Sequence, residues 1–163
     1  MSQVRARQIT VLLVLVTLHF VLRPFLGDVR FAPDLLLLAL LVFAIQARPG
    51  EGAIAGFVVG ILADSLTPVA FGAGALAHSC VGYLAAWGKA VFFAESLLVS
   101  GGFFLAGTWL RDALVLVAGR HMTDSALAWQ LLWWSPLKAL TTAAVGVTIL
   151  IVFRRWLDVR VRG

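Results

Sequence analysis

Apolar residues run through this chain in solid blocks, and polar residues fall between the blocks rather than alternating within them. The blocks cover about 8–26, then Pro33 and Asp34 through Ala47, then about 52–66, 73–87, 96–118 and 135–153. A membrane-spanning helix needs roughly 20 predominantly apolar residues, so this pattern predicts about six short spans. Unbroken apolarity argues against a barrel, whose strands alternate in polarity. The predicted fold is all-α: a polytopic bundle of about six transmembrane helices, forming one integral membrane domain over 1–163.

The breaks between blocks carry turn and cap chemistry. Gly27-Asp28-Val29-Arg30 separates the first two. Pro33 suits a first helical turn, where its missing N–H matters least, and Asp34 beside it favours the positive end of the helix dipole. In Arg48-Pro49-Gly50-Glu51 the order Pro then Gly is that of a type II turn, which predicts an antiparallel hairpin. Thr67-Pro68 and the polar stretch from Gly119 to Ser125 mark later breaks. Residues 126–134 hold Trp129, Trp133 and Trp134 around Gln130. They fit either a helix lying at the membrane interface or the start of the sixth span.

Composition strengthens the membrane reading. The chain is 61% hydrophobic and 13% charged, with a mean hydropathy of +0.99. A soluble fold of 163 residues leaves too much surface in water to accommodate that. The formal charge of +5 does not point to nucleic acid, because no basic stripe with interleaved aromatics is present. The cations instead flank the spans. With both termini cytoplasmic, Arg5, Arg7, Arg48, Lys89, Arg154, Arg155, Arg160 and Arg162 share the inner side. The outer side then keeps only Arg23, Arg30 and Arg120, an asymmetry that favours this orientation over a five-span arrangement with the N-terminus outside. Arg5 and Arg7 before the run 9–22 resemble a signal sequence, but no small-residue cleavage pattern follows, and the segment reads as an uncleaved first span. The single cysteine, Cys80, reads as a packing residue.

Two features carry candidate chemistry. Gly52, Gly56 and Gly60 recur every four residues and Asp64 extends the ridge; Gly74, His78 and Gly82 repeat the spacing in the next block. Such ridges let helices approach closely, so these residues are candidates for helix packing or partner binding. Within one chain is the commoner use. The second feature is charge inside spans, which is costly unless paired or hydrated. Asp64, Arg111, Asp112 and Lys138 form the candidate intramembrane polar set. Arg111 and Asp112 lie about 100° apart on a helix and are not expected to face each other. Asp64 with Arg111 or Lys138 is the expected interhelical pair, serving either to fix register or to face a ligand. Lys138 can also snorkel to the interface. His19 and His121 lack acidic or cysteine companions, which leaves no metal site. No phosphate loop, GxSxG or HExxH occurs, so neither catalysis nor a cofactor is expected.

Taken in order, Pro33-Asp34-Leu35, then Gly56 to Gly60-Ile61-Leu62-Ala63-Asp64-Ser65, then Pro68, Gly72, Leu76 and Gly82-Tyr83 resemble the bacterial rod shape-determining protein MreD family. The resemblance covers almost the whole chain in length and span layout. It implies a non-enzymatic scaffold of the elongasome in the bacterial inner membrane, supporting side-wall peptidoglycan synthesis. The implied partners are the bitopic protein MreC, the RodA glycosyltransferase with its class B penicillin-binding protein, and the actin-like MreB. It also implies a fold similar to the S-components of ECF vitamin transporters. A small-molecule-binding membrane subunit of that kind is the alternative function, with Asp64, His78 and Arg111 as its polar groups.

Overall fold

A helix that is apolar on every side has no face to offer water and must be enclosed. The Leu-rich second block is such a segment, and in a computed structural model of the chain it forms the central helix. That structure describes residues 2–25, 32–66, 71–92, 97–119 and 124–157. Its elements are α1 (Ser2–Leu22) with a short 3₁₀ turn (Arg23–Phe25), α2 (Leu35–Ala44), α3 (Pro49–Ser65), α4 (Ala73–Phe92), α5 (Leu97–Gly119), α6 (Asp124–Trp129), a π-helical turn (Gln130–Trp134) and α7 (Ser135–Leu157). Among the described residues there is no strand, and the all-helical expectation holds. The breaks at 27–30, 67–70 and 120–123, with His121, lie outside the described residues, as do Arg160 and Arg162.

Nearly every residue of α2 is buried, with α1, α3, α4, α5 and α7 packed around it. The surrounding helices turn narrow stripes inward. On α1 the stripe is Val11 and Leu15; on α5 it is Ser100, Phe104, Thr108 and Asp112, each four residues from the last. Large apolar side chains point outward: Ile9, Leu13 and Leu18 on α1, Ile54, Phe57 and Val58 on α3, Leu76 and Trp87 on α4. An apolar exterior around a Leu-rich core that also holds buried polar residues is a distribution suited to a lipid solvent.

The length of the elements modifies the six-span expectation. Among the described residues, two helices are long and apolar enough to cross a membrane, Leu97–Gly119 and Ser125–Val152. Ile9–Leu22 and Leu35–Ala44 are apolar but shorter. At about 1.5 Å per residue, α2 rises roughly 15 Å, half a hydrocarbon core. Because protein surrounds it, its ends have no need to reach both interfaces.

One open alternative is decided and one local expectation is revised. The Trp-rich stretch runs on into the last helix, the second of its two readings: α6 passes through the π turn into α7 without a break. Trp109 on α5 holds this junction by donating from Nε1 to the Leu131 carbonyl at 3.1 Å. Residues 48–51, however, do not form a type II turn. Pro49 opens α3 and Gly50 lies inside its first turn. The reason is local: proline at the first helical position loses nothing. In addition, Glu51 accepts the Arg48 N–H at 3.2 Å, satisfying a donor ahead of the helix.

Candidate functional site

The glycine ridges meet each other. Gly52 faces Gly82 and Ala86, Gly56 faces the backbone of His78 and Ser79, and Gly60 faces Gly74 and Ala75. A methyl group added at Gly56 would lie 2.8 Å from the Ser79 Cα and closer still to the His78 carbonyl. The two helices therefore touch backbone to backbone, and α4 of the same chain occupies the α3 ridge. The sequence missed Gly146 on α7, where an added methyl would lie 2.6 Å from both Leu38 and Phe104. With no glycine four residues away on α7, it gave no ridge to notice.

Asp64 ends the α3 ridge, and its partners are not the cations expected for it. Oδ2 accepts the N–H groups of Gly72 (2.8 Å) and Ala75 (3.1 Å), and Oδ1 accepts that of Gly74 (2.9 Å). The first turn of a helix leaves four N–H groups without intrahelical partners, and its dipole favours a negative charge there. The start of α4 lies within reach of the end of α3, so those donors claim the carboxylate. Gly72 has φ +99°, a left-handed conformation that a side chain disfavours, and this directs its N–H at Asp64.

The acid that meets the cations is Asp34. It stands just before α2, where Oδ1 accepts the Leu37 N–H at 3.1 Å as a helix cap. Its own N–H donates to Thr142 Oγ1 on α7 at 3.1 Å. Arg111 Nη2 donates to Asp34 Oδ2 in a direct ion pair. Arg111 Nη1 donates to Asp112 Oδ1 at 2.6 Å. Lys138 Nζ lies 3.5 Å from Asp34 and 3.6 Å from Asp112. Arg111 and Asp112 thus do face each other, against expectation, because the long arginine side chain bends sideways around the helix. Two carboxylates and two cations from α2, α5 and α7 neutralise one another at a largely buried site. Asp34 was legible only as a cap; its second role depends on a partner 77 positions away.

His78 is fully buried beside this cluster, and Nδ1 lies 2.7 Å from the Gly74 carbonyl. A carbonyl oxygen can only accept, so Nδ1 carries the proton and Nε2 of the neutral ring is an acceptor. Neither His78 Nε2 nor Arg111 Nε has a hydrogen-bond partner among the described residues. A cavity of about 190 Å³ lies here, with His19, Asp34, Asp64, His78, Arg111 and Lys138 among its walls. It collects residues near the ends of α1, α3 and α5 and near the starts of α2, α4 and α7, so one end of the bundle holds most of the buried polarity. Of the candidate set, Asp64, Gly74, His78, Arg111 and Lys138 line this cavity; Asp112, Gly52, Gly56, Gly60 and Gly82 do not.

The family described as rod shape-determining protein MreD matches residues 3–135. No curated protein and no solved structure matches the chain.

Proposed function

The chain belongs to the rod shape-determining protein MreD family, and on that premise we propose a non-enzymatic scaffold of the bacterial elongasome. Family membership carries a role in rod-shape determination. Beyond it, the proposed partners are an MreC-like bitopic protein and, with it, RodA, a class B penicillin-binding protein and MreB. Through these it supports side-wall peptidoglycan synthesis. The protein sits in the inner membrane as a single multi-pass domain with both termini cytoplasmic, an orientation supported by the asymmetry of its cations.

What carries the reading is the family match; the chemistry of the polar residues agrees with it. Among the described residues the buried charges pair with one another or cap a helix start, which suits a fastener better than a reaction centre. The outward faces of α1, α3 and α4 are apolar, the surface a membrane-embedded partner helix can use.

Affinity purification from native membranes in mild detergent tests the proposal, with partners identified by mass spectrometry. Recovery of an MreC-like protein, with or without the cell-wall synthases, is the expected result. Recovery of an ATPase pair with a coupling subunit, and no MreC, would overturn it in favour of a transporter subunit.

A further inference from the structure

The end of the bundle opposite the cavity carries charge of nearly one sign. The ridge contact sets Gly52 on α3 against Gly82 and Ala86 on α4, so the start of α3 lies beside the end of α4. The start of α1 and the end of α7 reach the same end, because the end of α1 and the start of α7 meet at the cavity. Arg5 and Arg7 stand in the first two turns of α1, and Arg48 stands immediately before α3. Lys89 is in the last turn of α4, and Arg154 and Arg155 are in the last turn of α7. Among the described residues Glu51 is the one carboxylate at this end, and it accepts the Arg48 N–H at 3.2 Å. At the cavity end, by contrast, Arg111 and Lys138 are matched by Asp34 and Asp112.

We propose that this cationic end binds the phosphate head groups of anionic phospholipids, with Arg7 and Arg48, both exposed, among its contacts. A second observation selects a lipid. On α1 the exposed Ile9 follows Arg7 by two positions, and on α4 the exposed Trp87 precedes Lys89 by two. On α7 the exposed Ile151 and Val152 come just before Arg154 and Arg155. Three helices thus pass from exposed apolar surface to cations within about one turn, all at the same end. In a bilayer that border is the level where acyl chains give way to phosphates, and tryptophan is a residue type that settles there.

A phospholipid presents chain and phosphate together and so covers both sides of the border. An acidic segment of a soluble protein would meet the cations and leave the adjoining apolar surface bare. A zwitterionic head group brings a cation of its own to a surface already in cationic excess. Each Lys or Arg near a membrane surface strengthens attraction to anionic lipid by about fivefold.

The proposal is tested on the full-length protein reconstituted in vesicles of equal phosphatidylcholine and phosphatidylglycerol. The protein is extracted in mild detergent at low salt, and the retained lipids are counted by mass spectrometry. Phosphatidylglycerol should be enriched at least tenfold over phosphatidylcholine, and about 0.5 M salt during extraction should erase most of the enrichment. Arg7→Gln and Arg48→Gln should each lower it several-fold. Arg23→Gln, in the 3₁₀ turn at the opposite end, should leave it unchanged. Both tested arginines are exposed, and melting in phosphatidylcholine alone checks that their variants stay folded. Equal retention of the two lipids overturns the proposal, as does enrichment that survives the Arg7→Gln, Arg48→Gln double change or falls equally with Arg23→Gln. Capture of poly-glutamate at low salt without phosphatidylglycerol enrichment also overturns it, and assigns the surface to an acidic protein segment. Failure to recover MreC would sink the scaffold reading and leave this one standing, since the two share no measurement.

Discussion

Arg111 on α5 and Asp34 at the head of α2 stand 77 positions apart in the chain and form a direct hydrogen-bonded ion pair in the interior. Asp34 is 3% exposed, and it is simultaneously the cap of the central helix and the acceptor that holds α5. Thr142 on α7 accepts from its backbone N–H. One residue thus ties three helices together, and the burial that makes the pair costly to form also makes it costly to break. Removing one partner from a buried pair leaves the other charge uncompensated, which typically destabilises by about 3–5 kcal/mol.

Asp34→Ala is therefore expected to lose roughly that amount of stability, read by unfolding in mixed micelles of increasing denaturing detergent. Combining it with Arg111→Met should cost less than the sum of the single changes, because the stranded cation is gone. Additive losses would mean that the two side chains act independently and that the cation is hydrated rather than paired.

The role of Asp64 leads to a more local expectation. Asp64→Ala strips acceptors from three N–H groups at the start of α4, a loss on the order of 2 kcal/mol for a charged cap. Hydrogen–deuterium exchange should speed up at Gly72, Gly74 and Ala75 while α2 and α5 stay protected. Asp64→Asn keeps one side-chain oxygen and should fall between the two. Equal protection in all three proteins would remove Asp64 as the cap.

How much of this was legible beforehand depends on the range of the interaction. The spacing of Gly52, Gly56 and Gly60 announced a close helix contact, and Gly74 and Gly82 supplied its other side, because both patterns are local. The all-helical fold followed from unbroken apolarity for the same reason. The pairing of charges was not legible. An inventory of charges pairs Asp64 with Arg111 or Lys138, yet the N–H groups at the start of the very next helix claim it. Asp34 beside Pro33 signals a helix start, and nothing nearby in the sequence announces Arg111 or Thr142. At Pro49-Gly50 the turn signal was local too, but it competed with an equally local helix start, and the Glu51 carboxylate decided between them.

The glycines offer a comparison within one protein. Gly56→Leu would drive a side chain into the backbone of His78 and Ser79, where nothing flexible can yield, so loss of the α3–α4 pair is expected. Gly102 on α5 has nothing within 4 Å of an added methyl. Gly102→Ala should gain about 0.5–1 kcal/mol from improved helix propensity. Thermal melting of both variants in the same detergent checks the contrast. Similar losses in both would mean that α5 has a close neighbour at Gly102.

The lone thiol tests whether the outward apolar faces meet lipid. Cys80 is exposed on α4, the helix that also turns Leu76, Leu84 and Trp87 outward. In water such a thiol would react rapidly with a maleimide, since nothing in the protein covers it. In a bilayer the same face lies among acyl chains, where a charged, membrane-impermeant maleimide does not partition. Labelling in sealed vesicles or nanodiscs should therefore be at least tenfold slower than in denaturing detergent. A small apolar maleimide should recover part of the difference. Fast labelling of the bilayer-embedded protein by the charged reagent would place this face of α4 in water, and the outward face of the bundle would then have to be assigned to a solvated surface.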